Sequence, residues 1–308
     1  MKTRFSITSI AFLLFGFSFF LCCSPVYSQG SRFEEGILAT RVSFPGTPLG
    51  DYFSKLALNE SGAGQNKATQ QDLKLQEGNY QSLLEGLTEE EKATAGTMML
   101  SAMMTPYYAK IYYSKEKVLA KAVALNYRLE SFMNMAEKKG MMTAFSKDET
   151  NSFGITFSAE EIKKVWQKEE VKPENYAIQQ SPNREPVIGY QCIKTIYTYK
   201  KGKQASSYPS ANLPYKIIVW SSPQFDASLN FLHPLYLDIP HGILKIEIQY
   251  DVKAKFRMVY EVTNAIAKKL AESDYQMKPV ENIVDWGENP MAASTGMLSI
   301  LFSGSEEE

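Results

Sequence analysis

Hydrophobic and polar positions alternate most regularly between residues 244 and 262. Leu244, Ile246, Ile248 and Tyr250 are interleaved with Lys245, Glu247 and Gln249. Val252, Ala254, Phe256, Met258, Tyr260 and Val262 then alternate with Asp251, Lys253, Lys255 and Arg257. Successive side chains of a strand point to opposite faces, so this pattern predicts antiparallel sheet with one buried and one wet face. It fits one long strand or a hairpin that turns near Asp251. Further strand-length runs lie at 33–44, 107–113, 117–125, 128–136, 141–145, 153–157, 188–199 and 215–220. Ser114-Lys115-Glu116, Lys138-Lys139-Gly140 and Lys200-Lys201-Gly202-Lys203 read as the polar turns between some of them.

Two helices announce themselves by their starts. Thr88 can cap the free N–H groups of a first turn, and Glu91, three residues on, can reach back to it. Ala95, Met98, Met99, Ala102 and Met103 then form an apolar face that Pro106 ends. Ser158 and Glu161 repeat the device for a shorter helix running to 167. Residues 45–82 are rich in Gly, Pro, Ser and Gln and show no period. They open an insertion at about 45–106. Residues 281–308 read as an irregular tail ending in Glu306-Glu307-Glu308.

The opening segment has a different logic. Lys2 and Arg4 precede an apolar run over 10–21, and Ser24-Pro25 breaks it. A membrane-spanning helix needs about 20 apolar residues, so the run has the length of a secretory signal. Val26 and Ser28 are small enough for the cleavage site, which assigns 1–28 to a signal peptide and 29–280 to a single exported domain. Such a chain does not span a membrane once processed. Lipid anchoring through Cys22 or Cys23 is the rival reading, but bulky Phe19, Phe20 and Leu21 stand where a lipoprotein signal wants small residues.

Loss of Lys2 and Arg4 takes the formal charge from −1 to −3. No basic footprint for nucleic acid remains. Cys192 alone survives cleavage, so the exported domain has no internal disulfide and depends on its core. A free Cys is most often a buried apolar residue. His233 and His241 lack a nearby Cys or carboxylate cluster and make a poor zinc site. Glu34-Glu35, Glu89-Glu90-Glu91, Glu160-Glu161 and Glu169-Glu170 fit strand starts, first helical turns and wet faces. The chain has no Gly-rich phosphate loop, serine nucleophile elbow or zinc-protease helix. It is read as a non-enzyme without cofactor or metal.

Methionine is the unusual component. Met98, Met99, Met103 and Met104 fall on the first helix, and Met133, Met135, Met141 and Met142 on the meander that follows. Such flexible, polarisable side chains fill a core, line a pocket for an acyl chain, or meet a partner's apolar face. Thioether ligation of copper is a further option. The ligand-lining candidates are Met98, Met99, Met103, Met104, Met133, Met135 and Trp220.

The order of several short motifs adds a family. Phe33-Glu34-Glu35-Gly36-Ile37 opens the first strand. Ile188-Gly189-Tyr190-Gln191-Cys192-Ile193-Lys194, Ile218-Val219-Trp220-Ser221 and Leu232-His233-Pro234-Leu235 follow. Tyr260-Glu261-Val262-Thr263 and Asp274-Tyr275-Gln276-Met277-Lys278-Pro279 close the series. Together they resemble the exported Gram-negative proteins grouped near the GLPGLI proteins. The resemblance implies an α+β fold: a strongly curved antiparallel sheet, the open β-barrel of the lipoprotein carriers LolA and LolB, with helices on its concave face. The insertion at about 45–106 departs from that pattern. The family carries no catalytic residues to transfer. The implied protein belongs to the periplasm or outer envelope. It binds a hydrophobic small molecule or lipid, or alternatively serves as an interaction module for another envelope protein.

Overall fold

The computed structural model describes residues 31–48, 50–51, 84–166, 174–200, 214–233 and 239–302. The signal peptide with Cys22 and Cys23, most of the 45–82 segment, the turn beyond Lys200 and the acidic end fall outside these residues. Everything below concerns the unit Arg32–Glu308.

The chain adopts an α+β fold with a large mixed sheet of thirteen strands and few helices. The strands are β1 (Glu35–Ser43), β2 (Tyr108–Ser114), β3 (Lys117–Val123), β4 (Tyr127–Asn134), β5 (Lys139–Ser146) and β6 (Ser152–Ser158). They continue as β7 (Tyr176–Gln180), β8 (Glu185–Val187), β9 (Tyr190–Tyr199), β10 (Lys216–Ser222), β11 (Gly242–Gln249), β12 (Arg257–Ala267) and β13 (Ile283–Asp285). The helices are α1 (Glu89–Met104), α2 (Ala159–Trp166) and α3 (Pro290–Phe302). Strand order is β13-β6-β5-β4-β3-β2-β1-β12-β11-β10-β9-β7, with β8 hairpinned onto β9. Among the described strands only β13 and β6 pair in parallel. The sheet is neither closed nor strongly curled. No described helix is long and apolar enough to cross a membrane.

The meander and both helix starts lie where the sequence pattern puts them. Glu91 N–H donates to Thr88 Oγ1 at 3.3 Å, and Thr88 N–H to Glu91 Oε2 at 3.0 Å. The Ser158–Glu161 pair does the same for α2. The 244–262 alternation resolves into a hairpin. Asp251 accepts from the N–H groups of Lys253, Lys255 and Phe256 and so folds the loop that separates β11 from β12.

Three expectations are corrected. Residues 188–199 are not one strand: Ile188 and Gly189 both have positive φ, 44° and 89°, and form a two-residue hairpin turn between β8 and β9. Positive φ at both central positions is the type I′ pattern, which a β-branched Ile does not advertise. The tail expected to be irregular is structured over its described part, 281–302, which adds β13 to one sheet edge and packs α3 through Ala293 and Ile300. A strand at 176–180 was not expected either. It is an edge strand buried only at Tyr176, so it shows no alternation.

Helices α1 and α3 and much of the core lie on one sheet face. Ala95, Met98 and Ala102 of α1 pack with Val42, Phe44, Tyr107 and Phe256 at one end. Ile300 of α3 packs with Ala124, Tyr127 and Ala144 at another. Between them a 3-10 turn, Ala227–Leu232, crosses the same face, and Phe231 stacks on Phe157 at 6.0 Å. Asp226 starts this turn by accepting from Ser228 N–H at 3.0 Å.

Asn230 ends it. Its side chain is fully buried. Its amide donates to Ile239 O at 2.9 Å and His241 O at 3.0 Å, and its oxygen accepts from Ile243 N–H at 2.9 Å. The chain passes closely here: a Cβ on Gly242 would come within 2.5 Å of Phe225 Cβ. Asn230→Ala strands three backbone groups, and each buried group left unpaired costs about 1–3 kcal/mol. Urea unfolding of Asn230→Ala is therefore expected to show a loss of about 3 kcal/mol or more, against about 1 kcal/mol for the cap variant Thr88→Ala.

Candidate functional site

The inner sheet face leaves a space that its side chains do not fill. Cross-strand partners explain why. Thr40 of β1 faces Ala109 of β2, which faces Ala122 of β3. The next row runs from Ile111 through Ala120 to Ser131 and Met142. Small side chains thus sit side by side on neighbouring strands, where larger ones would meet the elements above. The result is a cavity of about 360 Å³.

Seven adjacent strands, β11-β12-β1-β2-β3-β4-β5, contribute to its wall. Phe231, Leu232 and His233 cover it from the 3-10 turn, and Thr105 and Pro106 close the end beyond α1. Ile246, Ile248, Met258 and Tyr260 complete the side formed by β11 and β12. Among the described residues that line it, none is Asp, Glu, Lys or Arg.

Two polar atoms in the wall have no hydrogen-bond partner among the described residues: Tyr260 Oη and His233 Nε2. The rings pack edge to face at 4.3 Å, yet their polar atoms do not bond to one another. His233 as a whole residue is partly exposed, but Nε2 has no solvent access. Burial pushes the imidazole pKa down to about 4. Burial likewise pushes the Tyr260 hydroxyl well above its usual value. Both groups are neutral at pH 7.

The sequence candidates fall elsewhere. Met98 and Met99 belong to the α1 core cluster, Met103 is half-buried and Met104 is exposed. Met133 and Met135 pack in a different cluster, with Phe157 and Phe231. None of these six lines the cavity, and the methionines that do are Met142 and Met258. Trp220 is also absent from the lining. It is in register with Lys194 and Lys245 and so faces away from Ile246. The two ammonium groups lie 5.2 and 4.9 Å from its ring centroid, and its indole N–H donates to Glu185 at 2.8 Å. What the sequence hid was the run of inward Ala residues at 109, 120 and 122. The alternation of Ala120 and Ala122 on β3, continued by Ala124 just beyond it, was its available signal.

Other chemistry is quiet. Cys192 is buried, and burial pushes its thiol pKa up to about 12, so it is no ready nucleophile. Among the described residues no group of three or more His, Cys, Asp and Glu could hold a metal ion. Lys255 and the Thr88 N–H hold the exposed Glu91 carboxyl down at about 2, which serves the α1 cap.

No protein-family model matches this chain, and no curated protein does. The cavity is therefore read from its own chemistry.

Two outcomes test it. An unpaired buried hydroxyl costs about 1–3 kcal/mol, so Tyr260→Phe is expected to stabilise the ligand-free protein by about 1 kcal/mol in urea unfolding. Between pH 6.5 and 4 the unfolded chain protonates His233 and the folded protein does not, so stability falls with falling pH. The loss reaches about 3 kcal/mol at 1.36 kcal/mol per pH unit. His233→Phe should flatten this part of the stability–pH curve. The depressed Glu91 carboxyl acts below about pH 4.5 and does not mask the effect.

Proposed function

We propose that this protein binds a hydrophobic small molecule, a lipid or an acyl chain, in the cavity beneath the 3-10 turn. The observation that carries this reading is the unfilled apolar space floored by Thr40, Ala109, Ala120, Ala122 and Ser131. Its volume lies in the range of small-molecule sites, at about 300–1,000 Å³, and its lining has their character: mostly apolar, with a few polar groups. Met142 and Met258 give two adaptable contacts. The site holds no nucleophile–base pair and is read as binding without catalysis.

The same reading makes the protein an exported one that works in the periplasm or cell envelope after loss of residues 1–28. The resemblance to the GLPGLI group supports it. In that view the open sheet serves as an incomplete barrel of the LolA and LolB kind, with the 3-10 turn closing over the ligand and Thr105-Pro106 at its end.

One observation favours a second reading, an interaction module for an envelope protein. The α3 sequence, PMAASTGMLSILF, holds no charged residue, yet Met291 is 80% and Leu298 44% exposed. A helix apolar on all sides is ordinarily buried. A partner's apolar face would cover this one.

Cavity filling separates the two. The naphthylamine probe N-phenyl-1-naphthylamine is expected to bind with micromolar affinity, about −8 kcal/mol. Ala120→Leu should weaken that binding at least tenfold while leaving the unfolding midpoint within a few degrees. Lysine at both Met291 and Leu298 should leave it unchanged. Equal probe binding by wild type and Ala120→Leu would place the ligand outside the cavity. Loss of binding in the double lysine variant would move the apolar site to α3.

A further inference from the structure

We propose that the cavity selects an uncharged amphiphile, an apolar chain or ring body bearing one hydroxyl or carbonyl head, and that it rejects carboxylates and phosphates. The inference rests on the binding function proposed above and adds the chemical class of the ligand.

Three observations lead there. The first is the absence of any formal charge among the described lining residues. Moving an anion out of water is strongly unfavourable unless a cation or several donors meet it, and here no Lys or Arg waits. The second is the state of His233. Burial keeps its imidazole neutral down to about pH 4, and no charged side chain among the described lining residues faces it. It is therefore no substitute cation. Its immediate neighbour is the edge of the neutral Tyr260 ring.

The third observation is positive. Tyr260 Oη and His233 Nε2 are both buried, both in the wall and both without a hydrogen-bond partner among the described residues. Buried polar groups are nearly always hydrogen-bonded, so two orphans on adjacent rings mark a place for a polar atom from outside the chain. A ligand hydroxyl can accept from Tyr260 and donate to Nε2. A carbonyl oxygen can accept from the Tyr260 hydroxyl and from Nε2–H in the other tautomer. Either satisfies both groups with no charge transferred. The rest of the ligand would lie along Ile246, Ile248 and Met258 and over the Ala109, Ala120 and Ala122 floor.

The selectivity explains a cost. Phe at 260 would fill the same space without an orphan hydroxyl. A site built only for hydrocarbon would gain by that change. Retaining two unpaired polar atoms makes the empty protein less stable and lets it distinguish a headed ligand from a plain hydrocarbon, since a partner lacking the head leaves them unpaired.

The test uses four probes of one chain length: 1-decanol, methyl decanoate, sodium decanoate and decane. Each displaces N-phenyl-1-naphthylamine from the mature protein at pH 7.5. Decanol and the ester are expected to bind at least tenfold more tightly than decanoate. Tyr260→Phe should weaken decanol about tenfold, the loss of one hydrogen bond to a buried partner, and leave decane unchanged. His233→Gln, which restores a neutral donor and acceptor, should keep decanol ahead of decanoate. Decanoate binding as tightly as decanol overturns the selectivity, as does an unchanged decanol-to-decane ratio in Tyr260→Phe. In both cases decane still binds and the apolar cavity stands. Failure of all four probes, decane included, removes the cavity as a binding site and this inference with it.

Discussion

The buried amide of Asn230 is the contact on which the site depends. Its three hydrogen bonds join the end of the 3-10 turn to the start of β11. The turn carries Phe231, Leu232 and His233 over a sheet face whose own side chains are too short to support them from below. Protein interiors are close-packed, and a roof over empty space tends to sink into it. Here the roof hangs from its rim. Asp226 fixes the other rim through Ser228 N–H and an ion pair with Arg32 at 2.7 Å. Apolar contacts alone would let Phe231 slide toward Ala120. Directional bonds to backbone hold it off.

The floor shows the matching compromise. Residual cavity volume costs about 24 cal/mol per Å³ when sealed and dry. The space of about 360 Å³ is partly open, so it forgoes apolar contacts that larger side chains would make without carrying the full cost of a sealed void. Larger residues at Ala109, Ala120 and Ala122 would recover some of those contacts. The α1 end shows that the chain can fill its core, since Phe44, Met98, Tyr107 and Phe256 are each buried to within 1%. The same sheet face is therefore packed at one end and left open in the middle. Loose packing throughout would read as marginal design. A gap bounded by dense packing is the geometry on which the proposed binding function rests.

How much of this was legible follows from how local each signal is. The Thr88–Glu91 and Ser158–Glu161 boxes involve residues three apart, and the meander strands are joined by short polar turns, so both were readable in order. The Ile188-Gly189 turn was not, because its conformation is imposed by the β8–β9 pairing and not by its own propensity. The edge strand β7 gave no alternation because only one of its residues is buried. Methionine clustering pointed to side chains that lie outside the cavity. The α1 methionines face a core that α1 itself completes. The cavity is set by what is missing from β2 and β3, and missing volume leaves a weaker mark than a run of large residues. His233 stood out in the sequence as a weak metal candidate and as one member of a short motif. Its meaning comes from Tyr260, brought to it by the whole return of the chain through β11 and β12.

The position of that pair limits what the cavity can be. Were the site a defect in packing, its polar atoms would be expected to turn toward one another or toward backbone. The turn holding His233 is tied by Asn230 and by His233 N–H donating to Asn230 O at 2.7 Å, so the main chain that carries the imidazole is held in place. Tyr260 is held by strand pairing on both sides, to Val42 and Ile246. Both main-chain positions are thus fixed by bonds made elsewhere, and the rings they carry touch at 4.3 Å without bonding. A scaffold rigid enough to keep two dry polar atoms apart can also present them together to a third atom. The stability lost in the empty state is then returned when that atom arrives, which links binding to a measurable rise in folding stability.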